Sequence, residues 1–111
     1  MNTPEISVQD LEDMLKSKNE FVLLDVREPW ELTRAAWDDS RLQLAPLSQL
    51  SQHGVEFSKF RDSKVVIVCH HGIRSAHVTN WLLSQGLADV VSLRGGIEAY
   101  ALDIDSSVGR Y

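Results

Sequence analysis

Val65-Val66-Ile67-Val68 is an unbroken apolar run, and it stops at Cys69, the only cysteine in the chain. Phe21-Val22-Leu23-Leu24-Asp25-Val26 is a second run of the same kind. Neither alternates apolar with polar residues. Such strands are buried on both faces, which is the environment of a parallel sheet covered by helices.

The rest of the chain supplies the covers. A short strand near 5–7 precedes Ser7-Val8-Gln9-Asp10, which has capping-box spacing. Val8, Leu11, Met14 and Leu15 then recur at helical spacing to about Lys16. Pro29 favours the first turn of a short helix from Glu28 to Arg34. Residues 35–40 read as irregular, with a turn at Asp38-Asp39-Ser40. Leu42 and Leu44 suggest a short edge strand. Pro46 opens a helical turn with Leu47 and Leu50 inward, stopped by Gly54, and Phe57 and Phe60 anchor another turn. A helix from Ser75 to Gln85 is expected to pack Ala76, Trp81 and Leu82 or Leu83, with Gly86 as its C′ residue. Val90 to Leu93 is the last strand, Gly95-Gly96 a turn, and Ile97 to Leu102 the last helix. The polar tail, 103–111, is expected on the surface. Alternating strands and helices make the fold class α/β, with a mainly parallel sheet. Ligands in such folds lie beyond the carboxyl ends of the strands. Cys69, Asp25 and Arg27 share that rim.

Bulk properties narrow the function. The 111 residues fit one domain, 1–111. The net charge of −5 argues against a nucleic-acid surface, which needs a basic excess. The apolar runs are too short to span a bilayer, so no membrane association is expected. Residues 1–5 lack signal-peptide character, and one cysteine forms no internal disulfide; a cytoplasmic protein is the simplest reading.

The chemistry concentrates in Cys69-His70-His71-Gly72-Ile73-Arg74-Ser75. The thiolate is the nucleophilic form of cysteine, and an ordinary cysteine is only a few per cent thiolate at neutral pH. A following helix N-terminus contributes about 0.3–1 kcal/mol toward the anion, and inward-turned loop amides with Arg74 add more. Gly72 lets the loop turn those amides inward. The same order cradles an anionic substrate group. A metal site on Cys69, His70 and His71 is disfavoured, because adjacent residues cannot readily enclose one ion, and His53 and His77 are isolated. Asp25 either orients the site, by accepting hydrogen bonds from loop groups or from Arg27, or makes a plain structural hydrogen bond. Arg27 either attracts anions or pairs with Glu28 or Glu31. Trp30, Trp37 and Trp81 read as core or rim packing.

The loop, with its Cys-x-x-Gly-x-Arg pattern, resembles the active loop of rhodanese-type sulfurtransferases. Asp25-Val26-Arg27-Glu28 with Glu31 is similar to that family's Asp-x-Arg-x-x-x-Glu region, and Leu93-x-Gly95-Gly96-Ile97-x-x-Tyr100 to its closing segment. The resemblance implies five mostly parallel strands in a single domain, flanked by helices on both faces. It implies that Cys69 takes a sulfane sulfur from a donor such as thiosulfate and passes it from a persulfide to a thiol or cyanide. Cys69 and Arg74 would be catalytic. His70, His71, Gly72, Ile73 and Ser75 would hold the persulfide, with Asp25 and Arg27 at the site. No cofactor is implied. The tail resembles that of domains attached to enzymes activating sulfur-carrier proteins, so a sulfur-carrier or thioredoxin-like partner is an expectation.

Two other functions fit this scaffold. One is a non-catalytic binding module, which the presence of both Cys69 and Arg74 speaks against. The other is a phosphatase or arsenate reductase. Their loops are one residue longer and place the arginine where Ser75 stands here, so the smaller cradle suits sulfur. Ala35 to Ser40 departs from the family pattern, and substrate preference is not carried over.

Overall fold

The computed structural model describes residues 3–49 and 58–111; Leu50, His53, Gly54 and Phe57 lie outside them. Five strands form the sheet: β1 (Glu5–Ile6), β2 (Val22–Asp25), β3 (Leu42–Leu44), β4 (Val65–Val68) and β5 (Val90–Leu93). Their order is β1-β5-β4-β2-β3, and every pairing is parallel. β4 is central. Register places Asp25 beside Val68, so β2 and β4 end together.

The two apolar runs fail to alternate because each side chain meets a helix. Val65 and Ile67 share one core cluster with Val78 and Leu82 of α3 (Ile73–Ser84). Val66 and Val68 share the other with Leu11 of α1 (Val8–Lys16) and with Ile97 and Tyr100 of α4 (Gly96–Asp103). All four β4 side chains are fully buried, each contributing about 2 kcal/mol of apolar transfer. The fold is α/β with helices on both faces.

Local signals set the ends. Ser7 caps α1 by accepting from the Asp10 amide at 3.0 Å. Pro29 opens α2 (Pro29–Leu32), where Glu28 and Glu31 form a reciprocal capping box. Gly86 adopts the left-handed conformation after α3.

Two packing expectations are corrected. Trp81 is exposed rather than packed inward, because the buried stripe of α3 is Ser75, Val78, Thr79 and Leu82. Two hydroxyl residues stand where an apolar pattern would be sought, and Thr79 satisfies its own by donating to the Ser75 carbonyl at 2.7 Å. Leu47 also faces outward.

Candidate active site

Cys69 directly follows β4, with its side chain on the α3 face beside Ile67. Gly72, at φ +96°, turns the chain back through the left-handed region. The Gly72 and Ser75 amides then donate to Cys69 Sγ at 3.1 and 3.3 Å. α3 begins at Ile73, two residues before the pattern suggested, so Arg74 and Ser75 stand in its first turn. Amides there have no intrahelical acceptor and carry the positive end of the helix dipole. Such an arrangement stabilises negative charge on sulfur. Ser75 Oγ lies 3.4 Å from Sγ and 2.7 Å from Ser92 Oγ on β5. Both serines are buried, so this hydroxyl chain is shielded from water.

The start of α4 holds the loop from behind. Ile97 N–H donates to the Cys69 carbonyl at 2.9 Å, and Glu98 N–H to the His70 carbonyl at 3.1 Å. Gly96 is packed so tightly here that a Cβ would lie 2.3 Å from the His70 carbonyl oxygen. That contact is the physical content of the Gly95-Gly96 pair.

Arg74 reaches across to α2. Its Nη1 and Nη2 donate to Glu31 Oε2 and Oε1 at 2.7 and 2.8 Å. Glu31 also accepts from the Glu28 amide at 2.8 Å and from the Tyr111 hydroxyl at 2.8 Å. The Arg74 hydrogen bonds outweigh burial and hold the Glu31 carboxyl down at about 2.

For Asp25 and Arg27, with site and structural readings both open from the sequence, the structure shows a structural pair. Both are fully buried and paired with each other, Arg27 Nη2 to Asp25 Oδ2 at 2.7 Å. Arg27 Nε donates to Asp25 Oδ1 at 2.9 Å, and Nη1 to the Ala35 carbonyl at 2.8 Å. An anion has no open approach to this guanidinium. The partner is Asp25 rather than Glu28 or Glu31; Glu31 is buried as well but is held by Arg74. The pair instead props up the irregular stretch 35–40, whose Ala35 and Trp37 are core residues.

Most of the tail is exposed, and Tyr111 packs on His70 of the loop. Its ring stacks on His70 with centroids 3.8 Å apart, and the His71 ring stacks on His70 with centroids 3.9 Å apart. Arg27 Nη1 donates to the Tyr111 hydroxyl oxygen at 3.2 Å. Burial, and then repulsion from His71, lower the His70 pKa, which favours its neutral imidazole. Ile73 points outward, 69% exposed. The structure thus gathers Cys69, Gly72, Arg74 and Ser75, with His70 beside them. Glu31, Ser92 and Tyr111 are additions. Only Glu31 carried a signal, its place in the Asp-x-Arg-x-x-x-Glu region.

Two clefts lie elsewhere. One, of about 680 Å³, is lined by Phe21, Arg41 and Lys64 at the opposite end of the strands. The other, of about 360 Å³, lies by Trp37 and Tyr100. No helix among the described residues is long and apolar enough to cross a membrane.

The chain is 37% identical over 97 residues to a sulfurtransferase of Allochromatium vinosum, covering 87% of both chains. It is 35% identical over 112 residues to the Arabidopsis thaliana rhodanese-like/PpiC domain-containing protein 12, chloroplastic. That match covers 96% of this chain but spans only 37% of the relative's length. A rhodanese-related protein of Thermoplasma volcanium superposes with a TM-score of 0.74 at 31% identity, covering 91% of this chain and 93% of its own. The family model of the rhodanese-like domain matches residues 7–103, which hold the cysteine loop, Glu31 and the Gly95-Gly96 buttress alike. By sequence and by fold, the chain belongs to the rhodanese-like domain family.

Proposed function

We propose that the protein is a sulfurtransferase that carries a sulfane sulfur as a persulfide on Cys69. The observation that carries this reading is the pair of amides, Gly72 and Ser75, aimed at Cys69 Sγ. The sulfurtransferase of Allochromatium vinosum, covered over most of its length, supports it.

In the first half-reaction, the Cys69 thiolate attacks the outer sulfur of a donor. With thiosulfate, the donor S–S bond breaks, sulfite leaves with the bonding pair, and Cys69 retains S–S⁻. In the second, a thiol or cyanide attacks that outer sulfur and Cys69 leaves as thiolate. Gly72 and Ser75 amides stabilise sulfur before loading and after release, with the first-turn amides of α3 cradling the outer sulfur between. Arg74, fixed by Glu31, keeps this turn in place and adds positive potential beside it. The carrier is covalent and needs no cofactor. The acceptor comes from outside, because no second cysteine exists to resolve the persulfide. A protein acceptor such as a sulfur carrier or a thioredoxin-like protein belongs to this proposal.

Turnover with thiosulfate or an organic persulfide as donor and cyanide as acceptor tests the reading. Thiocyanate release that disappears in Cys69→Ser is expected. Equal release by the variant would overturn it, as would none with any donor.

A further inference from the structure

Asp25, Arg27, Tyr111, Glu31 and Arg74 form one line of hydrogen bonds beside the cysteine loop. Asp25 holds Arg27, and Glu31 holds Arg74 in the first turn of α3. The Tyr111 hydroxyl joins the two ion pairs. It accepts from Arg27 Nη1 at 3.2 Å and donates to Glu31 Oε1 at 2.8 Å. That same carboxylate oxygen accepts from Arg74 Nη2 at 2.8 Å. A phenol suits this place, because one hydroxyl oxygen both accepts from a cation and donates to an anion. The line runs from the carboxyl end of β2 to the helix turn whose Ser75 amide faces the sulfur.

The Tyr111 ring makes a separate contact. It stacks on His70, the residue directly after the nucleophile, with 10° between the ring planes. The Glu98 amide holds the His70 carbonyl from behind at 3.1 Å. His70 is thus fixed twice, at its ring by the tail and at its peptide by α4. The tail reaches this place through contacts of its own. The Ala36 amide donates to the Val108 carbonyl at 2.8 Å, and Arg110 Nε donates to Glu98 Oε1 at 2.6 Å. Between them, a Cβ on Gly109 would lie 2.6 Å from the Arg34 carbonyl oxygen, so the chain passes in close contact. Covering apolar surface alone would require no hydroxyl shared between two ion pairs.

Resting on the sulfur-transfer reading, we infer that Tyr111 is a positioning residue for that reaction. Its hydroxyl couples the Asp25–Arg27 pair to the Glu31–Arg74 pair, and its ring fixes His70 beside the nucleophile. Tyr111 acts on the loop through these partners. The amides that stabilise the sulfur stand 3.1 and 3.3 Å from it, and small displacements of such groups cost large factors in rate.

The test is single-turnover sulfur loading of the reduced full chain, from thiosulfate or an organic persulfide, followed by intact mass. Varying the donor gives a maximal rate and a half-saturating concentration. Tyr111→Phe keeps the ring and removes the hydroxyl, and its maximal rate should fall about threefold. Tyr111→Leu removes both, and its maximal rate should fall about tenfold or more. The half-saturating concentration should stay within about twofold in each, because loss of a substrate contact would raise it instead. Melting temperatures identify the folded variants. An unchanged maximal rate in folded Tyr111→Leu would overturn the inference, as would a loss confined to the half-saturating concentration. Where Tyr111→Leu fails to fold, Tyr111→Phe decides, and an unchanged maximal rate there overturns it. Combining Tyr111→Phe with Glu31→Gln tests the route through Glu31. The effect of the hydroxyl should shrink in the Glu31→Gln background, and factors that simply multiply would overturn the coupling. An unaltered protein that loads from no donor sinks the sulfur-transfer reading itself. Loading that is indifferent to Tyr111 sinks this inference alone.

Discussion

Glu31 holds Arg74 by both terminal guanidinium nitrogens, at 2.7 and 2.8 Å, and so ties the short helix α2 to the first turn of α3. The carboxylate is almost wholly buried, while the guanidinium is one-third exposed. The loop arginine is therefore first a fastener of the cradle and only secondarily a source of positive potential.

This pairing sets a pH dependence. The Glu31 carboxyl falls from an ordinary 4.5 to about 2 in the folded chain. A depressed acid stabilises the fold above its unfolded pKa and loses that contribution as pH falls through the folded value. Stability should drop by about 3 kcal/mol between these limits. Glu31→Gln should flatten that part of the curve. Urea midpoints across the acid range measure it, and an unchanged slope in the variant would contradict the assignment.

Arg74→Ala should slow sulfur loading more than it harms folding. Removing Arg74 does leave Glu31 buried with, among the described residues, the Tyr111 hydroxyl and the Glu28 amide as partners. The stability loss should be about 1–3 kcal/mol, and pairing the change with Glu31→Gln should recover part of it. Loading should not recover in the double variant. A double-mutant cycle on both stability and loading rate separates the two effects, and an unchanged loading rate in Arg74→Ala would count against its role.

Gly96→Ala attacks the buttress behind the loop. The added Cβ would lie 2.3 Å from the His70 carbonyl oxygen and 2.6 Å from that of Cys69, in a residue with φ +64°. A loss of about 3 kcal/mol or more is expected, with loss of loading even where the variant stays folded. A melting temperature equal to that of the unaltered protein would show that the contact has no such weight.

The Ser75–Ser92 hydroxyl chain should matter to the anion rather than to the fold. Ser92→Ala removes the partner 2.7 Å from Ser75 Oγ. Loading should slow roughly tenfold, equivalent to about 1.4 kcal/mol, with the melting temperature little changed. A variant with an unaltered loading rate would reduce Ser92 to packing.

The sequence reached the sheet because its signal is strong and local. Val65 to Val68 and Phe21 to Val26 fail to alternate, and burial on both faces is what removes the alternation. The cysteine loop was equally legible, since Cys69, Gly72 and Ser75 lie within a few residues of one another. What escaped depends on distance or on choice among equals. Nothing local places Tyr111 against His70, a contact between residues far apart in the sequence. Arg27 had three carboxylates in reach of its sequence neighbourhood, and only the tertiary pairing of Glu31 with Arg74 leaves Asp25 to it. On α3, Ser75 and Thr79 occupy the inner stripe, so an apolar pattern wrongly recruits Trp81.

The most direct test of the account is the mass of reduced protein after incubation with a sulfane-sulfur donor, followed by cyanide. A gain of one sulfur atom located on Cys69, then reversed as thiocyanate forms, is the predicted result. A chain that never gains sulfur on Cys69, or one whose adduct cyanide cannot remove, would contradict it.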